Sequence, residues 1–181
     1  MILFLDFDGV LHHENVTLKR CGPTEQKYLK PEELRFVNHA CKIARCPKGK
    51  VLFEHCYRLE AALAPYPDIQ IVISSSWREH FRPAKLISFL TPDLAARVIG
   101  QTPVCDDIGG VGSRLCDIHA YIEGNGLAGT AWIALDDQPQ LFLDDTEDFP
   151  PSLFYTPAEG LTDAILPCFV EFLREIKKKT S

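Results

Sequence analysis

An α/β fold built on a mostly parallel central sheet is the class this sequence predicts, on three observations. Apolar runs at residues 1–5, 69–74 and 131–137 are short and nearly unbroken, as strands buried on both faces are. Segments with helical spacing separate them, which implies right-handed crossovers between parallel strands. Each run ends in polar residues: Asp6 and Asp8, then Ser74 and Ser75, then Asp136 and Asp137. Ligands of such sheets bind beyond the carboxyl ends of the strands, where all six residues fall.

Element by element, residues 31–44 read as a helix with Pro31 in its first turn. Residues 51–64 repeat Leu52, Cys56, Leu59 and Leu63 at helical spacing, and 69–74 is a β-branched strand. Residues 83–90 read as a helix and 97–100 as a short strand. Ser113 is placed to cap a helix running to Glu123, stopped by Gly124 and Gly126. After the strand at 131–137 come a weaker strand, 152–155, and an amphipathic helix over 162–177.

The chain has 181 residues, 46% of them hydrophobic and 24% charged, the composition of one globular domain spanning 1–181. Its first apolar run is cut at Asp6, too short for a signal peptide or a membrane span. Seven irregularly spaced cysteines without an export signal suggest reduced thiols and a cytoplasmic protein. The net charge of −6 argues against a general nucleic-acid binder, yet residues 11–50 carry nine Lys/Arg against four acids, a net +5. That segment either draws an anionic substrate towards the paired acids or is simply a solvated surface.

Up to four carboxylates converging on one sheet edge repel one another unless a cation sits among them. Oxygen ligands favour Mg²⁺, which takes one or two carboxylates and completes its shell with water and substrate phosphate oxygens. Singly, each acidic pair reads equally as a helix cap or a turn. Three such elements in this order do not.

The stretch "DFDGVL" (6–11) resembles the first motif of the haloacid dehalogenase (HAD) superfamily, and "IVISS" (71–75) and "LDD" (135–137) resemble its second and fourth. Arg114 is the best match to the third, a cation near the start of the intervening helix. "ISSSWRE", "ALDDQP" and "GLTDAIL" are similar to the small HAD domains of Swiss-Army-Knife RNA repair proteins.

This resemblance implies a Rossmann-like three-layer sandwich without a large cap domain, and a flap or small helical insert at about residues 11–50. It implies that Asp6, ionised at neutral pH, attacks phosphorus to give an aspartyl-phosphate, while Asp8 serves as the acid and then the base. Asp6, the carbonyl of Asp8, Asp136 and Asp137 would hold Mg²⁺, with Asp137 the preferred member of the pair. Ser74 or Ser75 and Arg114 would bind the substrate phosphate. A dehalogenase needs no acid at position 8, because a halide leaves without a proton; an alkoxide does not.

Arg114 also carries a physical signal, since a cation in a helix's first turn opposes the macrodipole unless an anion lies nearby. The anion is either the site or Asp117, one turn on. For Arg78 a surface position is expected, for Trp77 packing, and for His12 and His13 an exposed loop, with substrate contact the alternative for each. His39, Cys41, Cys46, His55 and Cys56 match no zinc spacing and read as core or loop residues. The lysines at 177–179 read as a solvated helix end.

The expected function is a Mg²⁺-dependent phosphatase acting on a small phosphorylated molecule or a nucleic-acid end, with no membrane partner. The alternative is a non-catalytic phosphate-sensing or partner-binding module that keeps the site. A response-regulator receiver is excluded by order, because the middle strand ends in serine rather than in an acceptor aspartate.

Overall fold

In the computed structural model, residues 1–16, 52–105, 112–143 and 149–180 are described. Five strands, β1 (Ile2–Leu5), β2 (Gln70–Ile73), β3 (Val98–Gln101), β4 (Trp132–Asp136) and β5 (Leu153–Tyr155), form one sheet in the order β3-β2-β1-β4-β5. Every pairing is parallel. The sheet is therefore wholly parallel, and β1, the most apolar strand, lies at its centre.

Helices α1 (Cys56–Leu63), α2 (Pro83–Ile87), α3 (Pro92–Arg97), α4 (Ser113–Gly124) and α5 (Leu166–Thr180) cover the sheet. Side chains alternate across β1. Leu3 and Leu5 join Leu59 and Leu63 of α1, Leu94 of α3, and Phe169 and Leu173 of α5 in the larger core. Ile2 and Phe4 face the other way, onto Ile118 and Tyr121 of α4. Two apolar cores on opposite faces make this a three-layer α/β sandwich, which is why β1 reads as apolar throughout.

Several element ends move. The helix expected over 51–64 begins only at Cys56, because Leu52 lies in a turn and Phe53 takes φ +58°. Ser113 does not cap α4: Gly112 holds the cap position at φ +78°, and Ser113 is the first helical residue. A Cβ on Gly112 would meet the Leu143 carbonyl at 2.7 Å, so that position needs a glycine. Helix α3, additional to the elements expected above, has a legible signal in Thr91-Pro92-Asp93: Thr91 accepts the Leu94 N–H at 3.4 Å.

The helix expected over 31–44, and with it His39, Cys41, Cys46 and most of the basic 11–50 segment, lies outside the described residues. Described Cys56, Cys105, Cys116 and Cys168 are free thiols. Among the described residues no helix is long and apolar enough to cross a membrane.

Candidate active site

The sheet register builds the site. Leu5 pairs with Ile73 on one side and Leu135 on the other, so the next residues, Asp6, Ser74 and Asp136, lie in a row at the carboxyl ends of three adjacent strands. Backbone bonds extend the ladder by that one step: Asp6 N–H donates to the Leu135 carbonyl (3.1 Å), and Ser74 N–H to the Leu5 carbonyl (2.8 Å). Asp6, Ser74, Ser75 and Asp136 are buried, and Asp137 is half-buried.

Carboxylate oxygens of Asp6, Asp136 and Asp137 lie within 4.8 Å of one another. Burial pushes the Asp6 carboxyl up, against the pull of Arg114, and Asp8 adds to the rise. Asp136 is held well above the carboxylate range by burial and by Asp6, and Asp137 is raised to about 7, again chiefly by burial. Without a cation, burial weighs against the charged form of each of these acids.

The residues fit a divalent cation on two counts. Among the described residues, Asp6 Oδ1 and Asp137 Oδ1 are buried without a hydrogen-bond partner, and the donor set is all oxygen. The Asp8 side chain stands outside the carboxylate cluster, so of Asp8 only the carbonyl remains a candidate ligand. Gly9, at φ +62°, makes the turn that brings Asp137 against the chain. Thr156, fully buried, ties that turn down by donating its hydroxyl to the Gly9 carbonyl at 2.8 Å.

Arg114 is buried, with Nε 3.2 Å from Asp136 Oδ2 and an Nη 3.8 Å from Asp6 Oδ2. It also donates to the Ser74 carbonyl. These anions offset its unfavourable place in the first turn of α4. Asp117 is not its ion-pair partner but that of Arg78.

Two expectations fail here. Arg78 is not on the surface: it is buried, ion-paired with Asp117, and donates to the Ser75 carbonyl (2.8 Å) and the Pro103 carbonyl. Its folding inward follows from that carboxylate and those carbonyls, which replace water around the guanidinium. His12 is not an exposed loop histidine either. It is wholly buried, its Nε2 3.0 Å from Asp8 Oδ1, because the turn after β1 folds the chain back on itself.

Trp77 packs, as expected, but also donates Nε1–H to Asp8 Oδ2 at 2.8 Å. Ser75 bonds to Asp6, whereas the Ser74 hydroxyl is buried without a partner among the described residues. Of the zinc-type residues, His55 bonds to the Glu159 carbonyl at 2.8 Å and Cys56 is a buried thiol raised to about 12 by burial; neither joins a metal-type cluster among the described residues.

No curated protein and no solved structure matches the chain. A match to the family described as "HAD domain in Swiss Army Knife RNA repair proteins" covers residues 2–166, all five strands of the sheet and every residue of the site. The chain belongs to that HAD family.

Proposed function

We propose that this protein is a Mg²⁺-dependent phosphatase that hydrolyses a phosphate monoester through an aspartyl-phosphate on Asp6. One observation carries the reading: the ends of two adjacent strands, β1 and β4, gather Asp6, Asp136 and Asp137, two of whose buried oxygens have no hydrogen-bond partner among the described residues, with Asp8 beside them and outside the cluster. A purely structural role gives no reason to bury three acids with too few hydrogen bonds.

Asp6, Asp137 and the Asp8 carbonyl would hold the cation, with Asp136 the further candidate in the same carboxylate cluster. The bound Mg²⁺ would supply positive charge against which nucleophile and phosphate can approach. Asp6 attacks phosphorus, the bond to the leaving oxygen breaks, and Asp8 gives that oxygen its proton. Asp8, now a base, takes a proton from water as the water attacks phosphorus. The phosphate leaves and Asp6 is regenerated. The unpartnered Ser74 hydroxyl is the free donor for a phosphate oxygen. Arg114 holds the Ser74 carbonyl and two of the acids, so it sets the frame on which the phosphate rests.

The family's description, a domain of RNA repair proteins, supports a nucleotide or polynucleotide end as the carrier of that phosphate. The deciding experiment is hydrolysis of an aryl phosphate with Mg²⁺, beside EDTA and Asp6→Asn. Metal-dependent turnover lost in the variant is the expected result. Mg²⁺ binding without turnover, across nucleotides, oligonucleotide ends and sugar phosphates, would instead favour a phosphate-binding module. A polynucleotide substrate further requires affinity that falls steeply with salt.

A further inference from the structure

We propose that His12 is a positioning residue which, together with Trp77, fixes the carboxyl group of Asp8 for proton transfer to the leaving oxygen, an inference resting on the phosphatase reading above. The clamp is complete: His12 Nε2 meets one oxygen of Asp8 at 3.0 Å, and Trp77 Nε1 meets the other at 2.8 Å. Each contact uses one lone pair of its oxygen and leaves another for the proton. The Asp8 side chain keeps 32% of its surface exposed, so the held carboxyl group stays open on one side.

Both clamping rings are rigidly seated. The turn after β1, closed by Leu11 N–H to the Phe7 carbonyl at 2.9 Å, returns His12 to Asp8. Phe53 packs edge-on against the imidazole, with ring centres 5.0 Å apart. Trp77 sits among Phe7, Phe53, Phe81 and Phe89, with ring centres 5.2 to 5.9 Å apart in that cluster.

The imidazole's other nitrogen, Nδ1, is buried with no hydrogen-bond partner among the described residues. A proton there would face no acceptor, so the neutral ring carries it on Nε2 and donates to Asp8. Leaving Nδ1 bare in an aromatic wall is a cost to stability. Among the described residues, the polar bond that the His12 side chain makes is to Asp8, so its polar chemistry is directed there. An acid on a short stem otherwise samples several rotamers, and holding it in one removes that search from the reaction.

The test compares wild type, His12→Leu, His12→Gln and Trp77→Phe on two esters, an alkyl phosphate and 2,4-dinitrophenyl phosphate. The parameter is kcat/KM, which covers steps up to departure of the leaving group and excludes the later hydrolysis. Dinitrophenolate leaves as a stable anion and needs no proton; an alkoxide needs one. His12→Leu is expected to lose about tenfold to a hundredfold on the alkyl ester and less than about threefold on the aryl ester, a share of the general-acid contribution. Trp77→Phe should show the same asymmetry, and His12→Gln, whose amide can reach the Nε2 position, should recover most of the loss.

A parallel readout is the indole N–H resonance. The chain has two tryptophans, and His12→Leu should move the Trp77 signal while leaving that of Trp132 in place, which also shows that the variant is folded. Equal losses on both esters, or an alkyl-ester rate that His12→Leu leaves intact, would overturn the proposal while sparing the phosphatase. A wild type inactive on both esters would overturn the phosphatase reading, and this inference with it.

Discussion

Gly9 and Asp137 stand so close that a Cβ on Gly9 would lie 2.0 Å from Asp137 Oδ2 and 2.6 Å from Asp137 Cβ. The turn that leaves β1 and the acid that leaves β4 are therefore fitted to each other. Gly9 also holds φ +62°, where an L side chain is strained by about 1–2 kcal/mol. Gly9→Ala should lower the melting temperature and displace Asp137. The check is a thermal melt with and without Mg²⁺: the increment that Mg²⁺ gives wild type should shrink in the variant.

The raised acids make stability depend on pH in a definite direction. Asp137 has a folded-state value of about 7, lifted by burial and then by Asp6 and Asp8. Between its ordinary value near 4 and that figure, the folded state binds more protons than the unfolded chain. Stability from this group is thus greatest at low pH and is lost as pH rises through about 7. Asp6 and Asp136, also raised, act in the same direction. In EDTA, the melting temperature of wild type relative to Asp137→Asn should fall from pH 5 to pH 8. Mg²⁺ should restore more at pH 8 than at pH 5, because there it replaces no proton. A wild-type melting temperature that gains on the variant as pH rises would contradict the buried cluster.

The two halves of the site differ in how far sequence reveals them. Asp6, Ser74 and Asp136 stand directly after apolar runs, and in a parallel sheet a strand's end fixes where the next residue emerges. Their chemistry is thus local to the pattern. His12, Trp77, Arg78 and Thr156 acquire roles only through tertiary contacts. Trp77 reaches an acid 69 positions away, Arg78 one 39 away, and Thr156 a carbonyl 147 away. Nothing in "SSWRE" distinguishes an arginine folded inward from one in solvent. His12 lies only four residues from Asp8 across a glycine turn, yet the sequence alone reads it as an exposed loop residue or a substrate contact, because the fold-back of that turn is not written in the apolar pattern.

Arg114 links the cluster to the β2 end, and its removal should expose what it neutralises. Arg114→Met leaves Asp6 and Asp136 buried without their cation, which for a buried ion pair costs about 3–5 kcal/mol. Urea unfolding in EDTA should show a loss of that order. Mg²⁺ should recover part of it, since a second positive charge then sits among the same acids. Arg114→Lys should lie between, keeping the charge but not the reach to both Asp136 and the Ser74 carbonyl.

The Arg78–Asp117 pair poses a different question, because neither residue belongs to the carboxylate cluster. Asp117 Oδ1 accepts the Cys105 N–H at 2.9 Å while its other oxygen meets Arg78, which in turn holds the Ser75 carbonyl. The pair thus ties the start of α4 to the loop that follows β2. Burial pulls the Arg78 guanidinium below its ordinary range, and neighbouring Arg114 pulls it further. Asp117→Leu alone should then be severe, about 3–5 kcal/mol, since it strands a buried cation beside another. Arg78→Leu with Asp117→Leu removes both charges and should be less destabilised than either single change predicts by addition. The variants also separate stability from catalysis. If the pair only stabilises, the double variant regains kcat as it regains stability. If it sets the position of the Ser74–Ser75 loop, kcat/KM stays low in the double variant even where its urea midpoint recovers, and that second outcome is expected because Ser75 loses the guanidinium that holds its carbonyl.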